Sequence, residues 1–207
     1  MEFREVVRKR HMVRAFEPHR DVPDHVVARI LEHATHAPSA GHTQGWSFLL
    51  LRGSEETGRF WDALFPAPRR GSFAYPGLFH APLIIVPLAS QEAYQDRYAE
   101  ADKGWTDRDA ARWPVPFWYI DTGFSALLML LTAVDEGLGA LFFGIFDLEA
   151  FRAEFGVPPT WTPIGAIAIG YPAPHRASPS LARGRKSAQA CVHRGTWGNQ
   201  DLGLTNN

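Results

Sequence analysis

The pattern of apolar residues between positions 120 and 136 constrains the fold of this chain more than any other feature. Phe124, Leu127, Leu131 and their neighbours cover most of the circumference of a helix. A helix that is apolar on nearly all sides is typically buried, so we expect this one at the centre of the fold. Its most apolar stretch, residues 126–134, is far shorter than the roughly 20 residues that span a bilayer. The sequence therefore predicts a core helix and no membrane association.

Shorter helical and strand patterns alternate along the rest of the chain. Apolar residues recur at helical spacing up to Arg10, and again from Pro23 until Pro38 stops the pattern. Apolar runs predict buried strands at 46–51, 81–88, 140–143 and 164–169, and further helices are expected at 55–64 and 147–155. We expect the segment 66–77 to be a loop and the polar, aromatic segment 91–116 to be an excursion from the core. The alternation predicts an α+β or α/β fold in which helices flank one layer of sheet.

The composition indicates one globular domain that does not bind nucleic acid. The 207 residues can bury one sizeable core, and a net charge of -1 gives no long-range attraction for nucleic acid. Apolar periodicity is lost late in the chain, so we place a domain at 1–175 and an extension without its own core at 176–207. Cys191 is the only cysteine and no apolar signal core follows Met1, so we expect a cytoplasmic protein without an intrachain disulfide.

Two segments near the N-terminus suggest a site for a flat, anionic ligand. Arg10, His11 and Arg14 offer charged or pH-tunable donors to a phosphate. The residues from Pro38 to Gly41 are small, which leaves room for a planar ring. Each segment alone also has an ordinary explanation, since basic residues at a helix end commonly form a solvated face.

Together and in this order, the segments resemble the opening of the FMN-dependent nitroreductase family. That opening typically reads Arg-Arg-Ser-x-Arg-x-Phe and then Ala-Pro-Ser-x-x-Asn-x-Gln-Pro-Trp. Three positions depart from the pattern, because Met12 stands for Ser, His42 for Asn and Gly45 for Pro. Two later blocks, residues 120–146 and 165–197, are also similar to the family. The resemblance therefore extends over most of the chain.

The resemblance implies an FMN site and assigns residues to it. Gly144 would let the backbone approach the flavin ring closely, and Arg183 and Arg185 match a basic pair on the flavin phosphate. A turn glycine and a solvated basic tail are the ordinary alternatives for these positions. The implied cofactor-binding residues are Arg10, His11, Met12, Arg14, Pro38, Ser39, Ala40, His42, Gln44, Phe143, Gly144, Arg183 and Arg185.

The resemblance also implies an architecture and a reaction. Family members are intertwined homodimers with a central, mostly antiparallel sheet flanked by helices, and residues 176–207 would be a C-terminal arm that wraps the partner subunit. NADH or NADPH would pass hydride to FMN, which would reduce a nitroaromatic, a quinone or a related small aromatic acceptor by a ping-pong mechanism. No side chain is assigned a catalytic role, since FMN carries the chemistry. Arg10, His11 and backbone N–H groups near Ser39 would stabilise negative charge on the reduced flavin.

Other functions either lack their motifs or stay open as alternatives. The sequence has no Gly-x-Gly-x-x-Gly loop, P-loop, Gly-x-Ser-x-Gly elbow or His-Glu-x-x-His, and its histidines are scattered, so we expect no metal site. The alternatives are a flavin storage protein without productive turnover, a dimeric scaffold that has lost the cofactor, and a benzimidazole synthase-like family member that consumes its own flavin. The aromatic segment 113–119 fits a lid over the acceptor and a dimer contact equally well.

Overall fold

The computed structural model describes residues 1–203 and builds the first part of the chain on one sheet. Residues up to His175 form one compact unit, and a second unit begins at Arg176. The strands are β1 (Trp46–Arg52), β2 (Leu83–Ala89), β3 (Gly139–Phe143), β4 (Thr162–Pro163) and β5 (Ala166–Gly170). Their order is β1-β2-β5-β3, with β4 beside β2, and every strand pair is antiparallel. The α+β, antiparallel-sheet prediction is therefore confirmed.

The α-helices fall largely where apolar periodicity predicts them. Asp147 caps the last of these helices, because its side chain accepts a hydrogen bond from the N–H of Ala150 at 2.9 Å. The predicted strands are also present, with boundaries that shift by one or two residues. The helices are α1 (Phe3–Lys9), α2 (Asp24–Thr35), α3 (Gly53–Leu64), α4 (Ala67–Arg70), α5 (Gln91–Ala99), α6 (Phe117–Asp135) and α7 (Leu148–Phe155).

Strand β2 divides its side chains between two apolar cores. Ile84, Val86 and Leu88 point into the core that contains α3 and α7. Leu83 and Ile85 point into the opposite core, which contains α2 and α6. A slip of one residue in the pairing would exchange these two sets, so burial on both faces strongly specifies the register. The result is a sheet with helices on both of its faces.

Helix α6 packs one face against the sheet and leaves the other uncovered in the protomer. Met129 and Ala133 are fully buried, whereas Phe124 and Leu127 are 42% and 46% exposed. The prediction of a helix buried on nearly all sides is therefore wrong for the single chain. By length and composition α6 is apolar enough to cross a membrane, but half of its apolar window is buried within the fold, as expected of a core helix.

Two segments predicted to lack core structure are partly ordered into helices. Residues 66–77 contain the short helix α4, which follows Pro66. In the segment 91–116, helix α5 inserts the fully buried ring of Tyr94, whose centroid lies 5.8 Å from that of Trp113 and 6.3 Å from that of Trp118. Tyr94 thus anchors the first part of this segment in the fold, because its aromatic ring buries a large apolar area.

Candidate functional site

A large cavity opens between the end of β3 and the segment that follows α3. Its volume is about 1360 Å³, and its walls include Arg14, Tyr75, Phe143 and Gly144. Small-molecule sites commonly have volumes of about 300–1,000 Å³. The cavity therefore has room for a cofactor and for part of a second molecule.

The basic segment 10–14 is fixed beside β3 by backbone pairing. Met12 forms a parallel bridge with Ala140, and the N–H of Val13 donates to the Ala140 carbonyl oxygen at 3.0 Å. The neighbouring Gly139 has no room for a side chain, since a Cβ there would lie 2.7 Å from Val13 Cγ2. The chain therefore leaves α1 at Arg10 and passes directly along the edge of the sheet.

Two half-buried cations of this segment keep unused hydrogen-bond donors. Among residues 1–203, neither Arg10 nor Arg14 pairs with a carboxylate. Arg14 Nη1 donates to the Met12 carbonyl oxygen at 3.1 Å, and its guanidinium carbon lies 5.4 Å from the centroid of the Tyr75 ring. His11 is exposed, with Nδ1 2.8 Å from the Lys9 carbonyl oxygen. Cations with free donors are the groups that bind phosphate in proteins.

The second predicted segment, which we call the 38–44 loop, has an unusual backbone. Gly41, His42 and Gln44 all have positive φ angles, of 63°, 55° and 53°. The left-handed region costs a non-glycine residue roughly 1–2 kcal/mol, so the loop depends on other contacts to keep its shape. Within the loop, Ser39 Oγ accepts a hydrogen bond from the N–H of Gln44 at 3.0 Å, and Gln44 Nε2 lies 3.0 Å from His42 Nε2.

Buried groups of α5 and α6 supply further contacts to the loop. Asp121 Oδ2 accepts hydrogen bonds from the N–H of Ala40 at 2.8 Å and from the hydroxyl of Tyr94 at 2.7 Å. Burial and the bond to Asp121 raise the pKa of Tyr94 far above its ordinary value, so the phenol keeps its proton. Gly45 packs on the same ring, since a Cβ there would lie 2.5 Å from Tyr94 Cε2. The glycine in place of the family's proline therefore follows from the position of Tyr94.

Several backbone donors of the 38–44 loop are already used inside the protein. The N–H of Ala40 donates to Asp121, and the N–H of Gln44 donates to Ser39. The N–H groups of His42 and Thr43 donate to the carbonyl oxygens of Ser39 and Ala40. These four groups are therefore engaged within the protein, and the prediction of backbone donors near Ser39 does not extend to them.

One protomer holds the two predicted segments at opposite ends of α6. The loop is bonded to Asp121 in the first part of α6, whereas Met12 of the basic segment pairs with Ala140, which follows the end of α6 at Asp135. With a rise of 1.5 Å per residue, Asp121 and Asp135 are about 21 Å apart along the helix axis. The structure brings Arg14, Phe143 and Gly144 to one cavity, whose walls do not include the 38–44 loop.

Phe143 and Gly144 form the part of the cavity wall where β3 ends. The Phe143 ring stacks on Trp61, with centroids 5.6 Å apart and planes inclined by 15°. A Cβ on Gly144 would meet only the ring of Phe146, at an ordinary contact distance of 3.4 Å. The fold itself therefore does not require a glycine at position 144.

The remaining predicted residues, Arg183 and Arg185, belong to the second unit. Arg183 ends a short 3-10 helix, Pro179–Arg183, and Gly184 follows with a φ of 69°. Both arginine side chains are exposed. Like Arg10 and Arg14, these two arginines form no ion pair among residues 1–203.

Three residues that organise the 38–44 loop were not among the predicted site residues. They are Tyr94, Arg97 and Asp121, of which Arg97 Nε donates to the Gly41 carbonyl oxygen at 2.9 Å. Asp121 carries a usable signal in the sequence, because a carboxylate within an apolar helix must find partners when it is buried. Nothing in the sequence indicates that its partner is the loop, which is 81 residues away.

Comparisons with known proteins identify a family for this chain. The model of the Nitroreductase family matches residues 7–171. An NADH dehydrogenase of Thermus thermophilus is 30% identical over 185 residues, covering 80% of this chain and 84% of that protein. A 5,6-dimethylbenzimidazole synthase of Rhodospirillum rubrum is 25% identical over 180 residues, covering 78% of each.

A solved structure shares the fold as well. It is that of a protein from Exiguobacterium sibiricum, assigned as a nitroreductase and in complex with FMN, and it has a TM-score of 0.62 to this chain. The two are 20% identical, and the likeness covers 90% of this chain and 98% of that one. With a family model matching most of its length and the corresponding fold, this chain belongs to the nitroreductase family of oxidoreductases.

Proposed function

We propose that this protein is an FMN-dependent oxidoreductase that takes hydride from NADH or NADPH and reduces a nitroaromatic, a quinone or a related small aromatic acceptor. The observation that carries the proposal is the cavity whose walls combine aromatic side chains and Gly144 with Arg14, which has no carboxylate partner among residues 1–203. FMN joins a phosphate to a flat ring system, and such a cavity suits both parts. The FMN in the related protein from Exiguobacterium sibiricum supports the same cofactor here.

In this proposal the protein binds and orients its ligands. Bound FMN would supply a carrier that accepts hydride from the nicotinamide and delivers it to the acceptor in a second step, a ping-pong scheme. Arg10 and Arg14 would hold the phosphate, and Arg183 and Arg185 of the second unit would add to its charge-assisted hydrogen bonds. The aromatic wall at Phe143 would exclude water from one side of the ring. The other proposed contacts come from His11, Met12, Pro38, Ser39, Ala40, His42 and Gln44.

We also propose that the protein acts as a homodimer, because one protomer does not complete the predicted site. Phe124 and Leu127 on α6 and Phe3 and Val7 on α1 are between 42% and 71% exposed. Helices α1 and α6 pack against each other, and both expose large apolar side chains that a partner could cover. A second copy would cover these side chains and bring its own 38–44 loop toward the first protomer's basic segment, and the residues from Arg176 onward would wrap the partner.

The visible absorbance spectrum of the purified protein tests this function directly. A flavin spectrum that bleaches on anaerobic addition of NADH or NADPH, and recovers on addition of an acceptor, is the expected result and also identifies the preferred donor. A flavin spectrum that persists after both donors would favour a storage protein. A colourless protein that fails to take up added FMN would remove the cofactor assignment. A cytoplasmic location is part of the same proposal, in agreement with the exposed free thiol of Cys191.

A second candidate function is the flavin-consuming synthesis of a benzimidazole. The observation that favours it is the relative from Rhodospirillum rubrum, which is similar over 78% of this chain. The two functions differ in the fate of the cofactor, because an oxidoreductase recovers its flavin after each turnover. Mass spectrometry of the small molecules after aerobic incubation with FMN and NADH separates them. Intact FMN supports the first function, and a benzimidazole product supports the second.

A further inference from the structure

Asp121 is a buried carboxylate that joins three separate parts of the fold. Asp121 belongs to α6 and is 2% exposed. Its Oδ2 atom accepts hydrogen bonds from the N–H of Ala40 and from the hydroxyl of Tyr94. A buried carboxylate is costly unless it is well paired, and the loss of either donor would leave it poorly compensated. The backbone of the 38–44 loop is therefore tied to the interior of the protein at Ala40.

Helix α5 makes a second and independent contact with the same loop. Arg97 Nε donates to the Gly41 carbonyl oxygen at 2.9 Å, and the guanidinium is itself held by Asp102 through two bonds of 2.7 and 2.8 Å. The ring of Tyr98 packs on Gly41 so closely that a Cβ there would lie 2.8 Å from Tyr98 Cε2. Backbone groups of two successive residues of the loop are thus held from two helices.

We propose that Asp121, Tyr94 and Arg97 are positioning residues that hold the 38–44 loop in the conformation that contacts the flavin. The inference rests on the proposed function, in which this loop binds FMN. None of the three residues is expected to touch the cofactor. They act through the backbone of Ala40 and Gly41, at the point where the loop enters its left-handed stretch.

Strain in the loop explains why such anchors are needed. His42 and Gln44 have positive φ angles, which non-glycine residues adopt only when their surroundings impose them. Both side chains are exposed, so they contribute little packing of their own. Without the anchors the loop would relax toward ordinary backbone angles, and Ser39, His42 and Gln44 would lose their common arrangement. Preorganised contacts bind a ligand more tightly because less ordering accompanies binding.

The phenol of Tyr94 is suited to a permanent anchor. Its burial and its bond to Asp121 raise its pKa, so it remains a hydrogen-bond donor above the pH at which a solvent-exposed tyrosine ionises. The anchor should therefore behave in the same way on either side of neutral pH.

The test compares variants of the full-length protein that remove one buried hydrogen bond each. Tyr94→Phe deletes the hydroxyl alone, and Asp121→Asn keeps an oxygen that can still accept the N–H of Ala40. The control is Thr122→Val, because the Thr122 hydroxyl is fully buried on the same helix but, within residues 1–203, bonds only to the Trp118 carbonyl oxygen, at 2.7 Å. Should Asp121→Asn fail to fold, the pair Tyr94→Phe and Thr122→Val is sufficient.

Two readouts separate positioning from a general loss of stability. The dissociation constant of FMN, measured by quenching of flavin fluorescence, should rise at least about tenfold for Tyr94→Phe, as expected for the loss of one buried bond, and stay within about twofold for Thr122→Val. Hydrogen exchange of the amides in the 38–44 loop should accelerate in Tyr94→Phe and not in the control. The thermal midpoints of the two variants should be similar.

The possible results distinguish this inference from the proposed function. If the wild type binds FMN and both anchor variants bind it equally tightly, the inference is overturned and the function stands. If the control weakens FMN binding as much as Tyr94→Phe does, the effect is one of stability, and the inference is again overturned. If the wild type itself does not bind FMN, the proposed function fails and the inference fails with it.

Discussion

The guanidinium of Arg14 lies over the ring of Tyr75, with 5.4 Å between the guanidinium carbon and the ring centroid. Both residues line the cavity at the end of β3. A contact with an aromatic face orients an arginine without using its N–H donors, so most of them remain available to a ligand. This pair is the most direct structural support for an anion site in the protomer.

Replacing Arg14 with glutamine should weaken FMN binding while leaving the fold intact. A hydrogen bond to a charged group contributes about 1.5–3 kcal/mol, so the dissociation constant should rise about 10- to 100-fold. Fluorescence titration of the apoprotein measures this change. Arg20→Gln is a matched control, because Arg20 also lies over a tyrosine, Tyr171, but does not line the cavity. Equal effects of the two substitutions would contradict the assignment.

The double variant Arg10→Gln, Arg185→Gln should lose FMN during gel filtration. Arg10 begins the basic segment 10–14, and Arg185 lies in the unit that begins at Arg176. The double variant therefore tests the proposed phosphate contacts of both segments together. Each single variant should retain part of the flavin. Full retention of flavin by the double variant would remove both residues from the site.

Much of the fold follows from sequence periodicity alone. The apolar runs predict the four main strands, because β2 and β5 are buried on both faces and carry no polar residues. The cap at Asp147 is also evident, since its side chain lies three residues before the N–H that it binds. Local chemistry decides these features, so a single sequence is sufficient to predict them.

Features that depend on distant contacts could not be predicted from sequence. A helical pattern of apolar residues does not predict that Phe124 is exposed, because the pattern reports hydrophobicity and not which element covers each side chain. The role of Asp121 depends on a bond to a loop far away in the chain, and the ring of Tyr94 determines the glycine at position 45. The resemblance to the family predicts which residues belong to the site, and tertiary packing decides how they are held.

Gly144→Ala should leave stability unchanged and weaken binding in the cavity. A Cβ at this position meets only the exposed Phe146 ring, so the protein itself can accept it, whereas a flavin close to the backbone cannot. Gly139→Ala is the contrasting variant, because its Cβ would lie 2.7 Å from Val13 Cγ2 and should destabilise the fold by about 1–3 kcal/mol. Thermal melting and FMN titration of both variants measure the two effects. Unchanged binding by Gly144→Ala would show that no ligand approaches this backbone.

Leu127→Glu should convert the proposed dimer into a monomer that binds FMN weakly. The side chain of Leu127 is 46% exposed in the protomer, so a charge is tolerated there unless a second copy covers it. Ala28→Glu on the exposed side of α2 is the control for an added charge. Sedimentation velocity with and without FMN measures the assembly. A wild-type protein that sediments as a monomer would contradict the dimer, as would an unaltered Leu127→Glu dimer.

The raised pKa of Tyr94 predicts a loss of stability in alkali. Above its ordinary pKa of 10.0, a tyrosine in the unfolded chain releases its proton, while Tyr94 in the folded protein keeps it. The unfolded state then binds fewer protons, so the free energy of unfolding falls by about 1.4 kcal/mol for each pH unit above that value. The stabilisation that comes from the raised pKa of Tyr94 is fully present below pH 10.0. This stabilisation is lost as the pH rises toward the higher pKa of Tyr94 in the folded state.

Tyr94→Phe should remove this part of the pH dependence. The variant is expected to be less stable than the wild type at neutral pH, because Asp121 loses a donor, and the difference between the two should shrink by about 1.4 kcal/mol per unit in alkali. Urea unfolding of both proteins at about pH 9 and about pH 11 measures the difference, in which other ionisable groups cancel. Tyr119→Phe, at a tyrosine that is 41% exposed, controls for the loss of a hydroxyl. A stability difference between wild type and Tyr94→Phe that stays constant with pH would mean that Tyr94 ionises as readily in the folded protein as in the unfolded chain.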